Sequence, residues 1–166
     1  MVNVQTPSPS RAEARIAELG IVLPSAPTPF GNYVEVLETG NLLFFSGMLP
    51  VVGHVPKYVG RLGKELDVEA GRDAARTAVL SGLAAARQHL GTLDRVRRVV
   101  RLGVYMATCG DFFDQPRVAD GASDLLHDVF GPEGLSGRLV MGVASLPLNV
   151  PIEVELVFET AAAAER

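Results

Sequence analysis

The stretch GRLVMGVASLPLNVPIEVELVFE, residues 137–159, contains the last two predicted strands and the turn between them. In its second half, PIEVELVFE, apolar and polar residues alternate, which is typical of a strand with one buried face. The first half consists mainly of small and apolar residues, and PLNVP separates the two halves as a turn. The pattern predicts strands over 138–146 and 152–159.

Arg138 stands at the head of the first of these strands and raises the question of function. Side chains two residues apart point to the same side of a strand, so Arg138 shares a side with the apolar Val140. In one interpretation the guanidinium reaches solvent or pairs across the sheet with Glu153 or Glu155. In the other it binds a substrate carboxylate through two parallel hydrogen bonds. The residue chemistry leaves both interpretations open.

The rest of the chain supplies three more predicted strands and two long helices. The strands are predicted at 33–37, 42–46 and 96–108. A Thr-Gly-Asn turn joins the first two strands into a hairpin. One helix is predicted from its capping residue Asp67 to Gly91, and the other over 115–129. Both helices should lie on one face of a mixed β-sheet, giving an α+β fold of two layers.

The predicted sheet has a second face that nothing in the chain covers. The strand at 42–46, LLFFS, is apolar on both sides, so both of its faces should be buried. With 48% hydrophobic residues, the chain has more apolar surface than a small monomer readily hides. A symmetric oligomer is the simplest source of a cover. We therefore expect an oligomer whose subunits cover this face.

Composition and motif content argue against several classes of protein. A formal net charge of −4 provides no general attraction for phosphate backbones, so nucleic acid is an unexpected partner. The single cysteine, Cys109, is compatible with the reducing cytoplasm, and no apolar run approaches the roughly 18 residues of a membrane span. The three histidines lack metal-ligand spacing, and no GxSxG or phosphate-loop motif occurs. We expect a cytoplasmic protein without a membrane, metal or cofactor partner.

The sequence also resembles the RidA/YjgF family of reactive-intermediate deaminases, known as well as L-PSP endoribonuclease-like proteins. The resemblance rests on GNYVEVLETGNLLFFSGMLPV, on DRVRRVVRLGVYM with the later DFF, and above all on 137–159, where eight residues lead from Arg138 to a Leu-Pro pair. It is similar to a longer branch of the family. We accordingly divide the chain into an N-terminal tail and short helix at 1–27, a RidA-like domain at 28–160 and a C-terminal tail at 161–166.

The resemblance implies a fold, an assembly and an activity. The fold would be chorismate-mutase-like, with two main helices on one face of the sheet, and three chains would form a homotrimer with clefts between subunits. Characterised members hydrolyse small enamines and imines, such as 2-aminoacrylate, to 2-oxo acids and ammonia without a cofactor. Two other functions stay open: a non-catalytic or regulatory trimer that binds a small carboxylate-bearing metabolite, and, with less support from the acidic charge, an endoribonuclease.

By position, the resemblance also assigns site residues. Arg138 would hold the substrate carboxylate, and Glu153 would orient the attacking water. Tyr33, from a neighbouring subunit, would line the cleft together with Ser46 and Gly47.

Three positions depart from the family pattern within this expected site. Val140 stands where many deaminases have cysteine, and Met48 follows the Ser-Gly pair where glutamine is common. The position usually given to asparagine falls near Asp120 or Ala119, and an aspartate there would repel a substrate carboxylate. We expect Asp120 and Val140 to lie at the substrate-binding site and to affect its chemistry.

Overall fold

The computed structural model of the protein describes residues 11–161; the predicted tail residues 1–10 and 162–166 lie outside this range. Three α-helices run along the described chain: α1 Ala12–Glu18, α2 Val68–Leu90 and α3 Gln115–Phe130. Seven strands accompany them: β1 Val36–Thr39, β2 Leu42–Phe45, β3 Val51–Val52, β4 Val55–Pro56, β5 Val96–Ala107, β6 Gly137–Val143 and β7 Ile152–Thr160. None of the helices within residues 11–161 is long and apolar enough to cross a membrane.

The ends of α2 follow from the residues that cap it. The Asp67 side chain accepts a hydrogen bond from the backbone N–H of Ala70 at 2.8 Å, which satisfies one of the donors left open in the first turn. At the other end, Gly91 adopts a left-handed conformation with φ +81°, which stops the helix at little steric cost. The predicted bounds of this helix are confirmed.

Five strands form one mixed sheet in the order β1-β2-β7-β5-β6. The β5–β6 pair is parallel, and the other three pairs are antiparallel. The β1–β2 hairpin turns at Gly40 and Asn41, since Thr39 pairs with Leu42. The predicted α+β arrangement with a mixed sheet is confirmed.

The two faces of this sheet have different environments. Alternate residues of β5 and β7 are fully buried in the main core with the apolar sides of α2 and α3; they include Leu102, Val104, Met106, Val154, Leu156 and Phe158. On the opposite face, Leu37, Phe44 and Met141 are 57%, 39% and 45% exposed. A single chain therefore leaves apolar side chains exposed on this face of the sheet, which is the face that the chain was expected not to cover.

Two of the predicted strands were wrong at a boundary. Tyr33 lies before β1 because residues 30–33 close a tight turn, in which the Tyr33 N–H donates to the Gly31 carbonyl at 3.1 Å. Strand β6 ends at Val143 rather than at 146, because its partner β5 ends at Ala107.

Helices α2 and α3 are in close backbone contact at Gly121. A Cβ atom at this position would collide with the backbone carbonyl of Arg72 on α2. Backbone cannot yield as a flexible side chain does, so the two helices need a residue without a side chain here.

We predict that Gly121→Ala destabilises the protein by about 2 kcal/mol, the usual cost of overpacking a core contact. Urea denaturation followed by circular dichroism measures the change. Gly110→Ala is the control, because a Cβ there meets no atom within 4 Å, and it should shift the free energy of unfolding by no more than about 0.5 kcal/mol. Equal unfolding midpoints for the two variants would contradict the need for glycine between the helices.

Candidate functional site

A pocket of about 490 Å³ opens beside the start of β7. Four of the predicted site residues meet in its wall: Tyr33, Ser46, Gly47 and Glu153. Apolar side chains complete the lining, with Phe30 and Leu49 among them. The pocket is thus a largely apolar cavity with one carboxylate.

Glu153 is the chemically distinctive group of this pocket. Its side chain is partly buried, and its carboxylate has no hydrogen bond or ion pair with any residue from 11 to 161. Burial without a compensating partner disfavours the charged form and raises the pKa of Glu153 above its ordinary value. Gly47 makes room for the carboxylate, since a Cβ atom there would collide with Oε1. A carboxyl group in these surroundings is suited to accept and return a proton.

The polar groups of Ser46 and Tyr33 are engaged in holding the pocket wall. The Ser46 hydroxyl donates to the Val34 carbonyl at 2.6 Å. The Tyr33 hydroxyl accepts a hydrogen bond from the backbone N–H of Phe30 at 3.1 Å. Both bonds fix the segment that enters β1 and keep the pocket open beside Glu153.

Two features of this wall were missed by sequence reasoning. His54, at the tip of the β3–β4 hairpin, stacks on Phe30 with ring centroids 4.2 Å apart, and its Nε2 lies 2.9 Å from the Thr28 carbonyl. Leu148 enters the pocket from the turn before β7, in a left-handed conformation with φ +55°. Phe30 could have been identified as a pocket residue from its position just before Gly31-Asn32-Tyr33. No local pattern of the sequence marked His54 or Leu148.

Arg138 lies in a second cleft, of about 320 Å³, with Asp120 and Ser123 of α3. Its Nη1 donates to Asp120 Oδ1 at 2.7 Å and to Ser123 Oγ at 3.0 Å. The suggested pairing of Arg138 with Glu153 or Glu155 was wrong. Glu155 instead accepts from Arg101, at 3.2 Å.

Strand register explains why Arg138 and Glu153 are apart. Arg138 pairs with Leu102 of β5, whose side chain points to the helices. Glu153 pairs with Tyr105, three residues further along β5, so it lies on the opposite face of the sheet. Because β5 also stands between the strands that carry them, two strand spacings, roughly 10 Å, separate their backbones. A single chain does not unite the predicted catalytic pair.

Val140 follows Arg138 on the helix side of β6. It is partly buried and packs against the main core. The position that carries cysteine in many deaminases therefore presents an aliphatic side chain beside the arginine cleft. No group of three or more potential metal ligands occurs among residues 11–161.

The fold coincides with that of a known family. A sequence profile described as "YjgF/chorismate_mutase-like, putative endoribonuclease" matches residues 13–160. The chain belongs to this family. Membership of the YjgF family confirms the resemblance carried by 137–159 and the chorismate-mutase-like fold that it implied.

This chain is similar to several relatives in the YjgF family over most of their length. Protein TCP17 of Trypanosoma cruzi is 41% identical over 150 residues, which cover 90% of this chain and 94% of the relative. A 2-iminobutanoate/2-iminopropanoate deaminase of Dermatophagoides farinae is 26% identical over 137 residues, 81% of this chain and 91% of the relative. A crystal structure described as "a putative endoribonuclease" from Shewanella oneidensis MR-1 superposes with a TM-score of 0.85 at 32% identity, covering 89% of this chain and 98% of that one.

We predict that Glu153→Gln stabilises the protein at pH 7 and that this gain disappears in acid. The folded-state pKa of Glu153 is raised above the ordinary value of 4.5, so the folded protein binds this proton more tightly than the unfolded chain does. The stability from that proton is fully present below 4.5 and is lost as the pH rises through the folded pKa. The neutral amide avoids this loss.

Urea denaturation of both proteins at several values between pH 4 and pH 8 measures the effect. Glu159→Gln is the matched control, because Glu159 lies on the same side of β7 but pairs with Arg98 at 3.6 Å. It should give no stabilisation at pH 7. A Glu153→Gln gain that is the same at every pH would show that burial of the charge is not its cause.

Proposed function

We propose that this protein hydrolyses small imines and enamines that carry a carboxylate, releasing 2-oxo acids and ammonia. The observation that carries the proposal is the Glu153 carboxyl group, partly buried and without a partner among residues 11–161, at the wall of an apolar pocket. The deaminase name of the Dermatophagoides relative supports the same chemistry.

The reaction needs a group that accepts a proton from the attacking water and returns it to the nitrogen bonded to the same carbon atom. An enamine first tautomerises to an imine, whose carbon is electrophilic. Water adds to the carbon of the protonated imine while the Glu153 carboxylate accepts one of the water's protons, which gives a carbinolamine. Glu153 then returns this proton to the nitrogen as the C–N bond breaks, and the hydroxyl proton passes to solvent. Ammonia leaves and the carbonyl of the 2-oxo acid forms. Because burial raises the pKa of Glu153, its carboxylate accepts this proton more readily than the carboxylate of an exposed glutamate would.

Arg138 enters this scheme from a neighbouring copy of the chain. We propose a cyclic trimer in which the Arg138 cleft of one subunit faces the Glu153 pocket of the next. Support comes from β6, which carries Arg138 at the edge of the sheet and has no strand partner on its outer side within the described chain. The same strand exposes Leu139 and Met141 on the open sheet face. Burying these residues between subunits would provide the driving force for assembly.

A non-catalytic carboxylate-binding trimer is the second candidate. Two features of the Arg138 cleft favour it. Asp120 occupies one nitrogen of Arg138. Val140 beside it is aliphatic, where many deaminases of the family have cysteine. Carboxylate binding without turnover would be the result. Ribonuclease activity has the family description as its support and the net charge of −4 against it.

We expect Glu153→Gln to lower the turnover of 2-iminobutanoate by about 100-fold or more, the usual contribution of a positioned acid–base group. Arg138→Gln should mainly raise KM. The imine is generated in the cuvette, and 2-oxobutyrate is followed against the uncatalysed rate. Glu159→Gln should retain wild-type turnover. If the wild type shows no turnover but 2-oxobutyrate raises its Tm, the non-catalytic binder replaces the enzyme.

A mixing experiment tests whether two subunits share one site. At a substrate concentration well below KM, oligomers of Arg138→Ala alone and of Glu153→Gln alone are each expected to have little activity, the first because of its raised KM and the second because of its slow turnover. After unfolding and refolding together in equal amounts, about a quarter of the sites in a cyclic oligomer should pair an intact Arg138 with an intact Glu153. About a quarter of wild-type activity should therefore return. No recovery in oligomers that contain both chains would place both residues of a working site in the same subunit.

A further inference from the structure

Two exposed apolar side chains stand in the wall of the Glu153 pocket. Phe30 is 46% exposed and Leu148 is 45% exposed, and they come from different turns of the chain. Neither belongs to a hydrophobic cluster of the described residues. A single exposed apolar side chain is ordinary, whereas two in the wall of one pocket offer contact area to a ligand.

Leu148 is held in the pocket wall by a strained turn. Leu148 has φ +55° and Asn149 has φ +57°, a left-handed conformation that asparagine tolerates and leucine rarely adopts. Such a residue persists only where its surroundings fix the backbone. Here the Gly60 N–H donates to the Asn149 carbonyl at 2.9 Å, and the fully buried Val150 follows directly. The neighbours of Leu148 thus keep its side chain in place at the pocket.

Phe30 is held by a different set of contacts. Its ring stacks on His54, and His54 Nε2 lies 2.8 Å from the Thr28 hydroxyl oxygen and 2.9 Å from the Thr28 carbonyl oxygen. The Phe30 N–H donates to the Tyr33 hydroxyl at 3.1 Å. Both the ring and the backbone of Phe30 are therefore fixed before a ligand binds. A surface that is already ordered loses little entropy on binding.

The pocket offers more room than a short 2-imino acid requires. Its volume of about 490 Å³ lies within the range of about 300–1,000 Å³ that is typical of pockets for drug-sized ligands. Among its described lining residues, Glu153 alone carries a charge. An apolar group that fills the remaining space gains from its own burial and removes water from Phe30 and Leu148.

We propose that Phe30 and Leu148 bind the side chain of the ligand, so that the site prefers 2-imino acids with a large, branched apolar side chain to those with a short one. The imine derived from leucine represents the preferred class. Its reacting carbon lies beside Glu153, and its side chain lies against Phe30 and Leu148. The inference names a substrate class for the proposed function and rests on that function.

Calorimetric titration of the full chain with 4-methyl-2-oxopentanoate and with 2-oxobutyrate tests the inference. Both probes are 2-oxo acids with the same carboxylate, and they differ in the size of the apolar side chain. The additional carbon atoms are buried against the pocket wall in the larger probe. The wild type should therefore bind 4-methyl-2-oxopentanoate about tenfold more tightly than 2-oxobutyrate.

Leu148→Asn separates the apolar contact from the shape of the turn. Asparagine is similar to leucine in size and is compatible with a left-handed backbone, so urea denaturation should show no loss of stability. The preference for the larger probe should fall about threefold or more, because the contact with apolar atoms is lost. Leu19→Asn is the matched control, since Leu19 is 42% exposed at the end of α1 and lies outside the pocket wall. It should leave the preference unchanged.

Two further measurements make the result specific. Phe30→Ala removes the other apolar side chain and should also lower the preference for the larger probe. Sedimentation of Leu148→Asn should give the same oligomeric state as the wild type. The wild-type comparison needs no substitution, so it tests the inference even if a variant folds poorly.

Equal or tighter binding of 2-oxobutyrate by the wild type, no binding of either probe, or an unchanged preference in both pocket variants would overturn the inference. A changed oligomeric state of Leu148→Asn with an unchanged preference would also overturn it, by assigning Leu148 to a contact between subunits. The titrations involve no turnover. A protein with the preference that hydrolyses no imine would remove the enzymatic proposal alone, and imine hydrolysis without the preference would remove the substrate class alone.

Discussion

The pairing of β5 with two partners is the constraint on which the rest of the structure depends. This twelve-residue strand lies between β7 and β6 in the sheet, antiparallel to one and parallel to the other. Its register directs Arg138 towards the helices and Glu153 towards the open face. A shift of one residue would exchange the two faces of either partner strand and would move a charged group into the core. The apolar side of β5 thus determines where both functional groups stand.

The two clefts differ in how they treat charge. Around Arg138, two arginines and two aspartates compensate one another, and the guanidinium is oriented by fixed hydrogen bonds. Around Glu153, apolar walls bury a carboxylate that has no partner in the described part of the chain, and this burial raises its pKa. The first arrangement is suited to recognising a polar ligand, and the second to moving a proton. A reaction that needs both functions would need two copies of the chain.

Much of the fold could be predicted because its signals are local. The capping of α2 by Asp67 and Gly91 and the turn of the first hairpin depend on neighbouring residues alone. Other boundaries depend on distant partners. Strand β6 stops at Val143 because β5 ends at Ala107 and the next residue, Thr108, bridges to Leu62 instead. Tyr33 lies outside the strand because its own turn closes first. Apolar content by itself could not indicate either limit.

The sequence by itself determined the main elements, their two-layer arrangement and the family. It also indicated a set of candidate site residues, of which Tyr33, Ser46, Gly47 and Glu153 line one pocket. Only the tertiary structure decided which residues each charged group contacts. Arg138 contacts Asp120 rather than a glutamate of β7, because α3 packs over the side of β6 to which the arginine points. Glu153 has no partner among residues 11–161 because the segment beside it offers the bare backbone of Gly47. Such contacts arise between residues far apart in the chain, where side-chain periodicity carries no information.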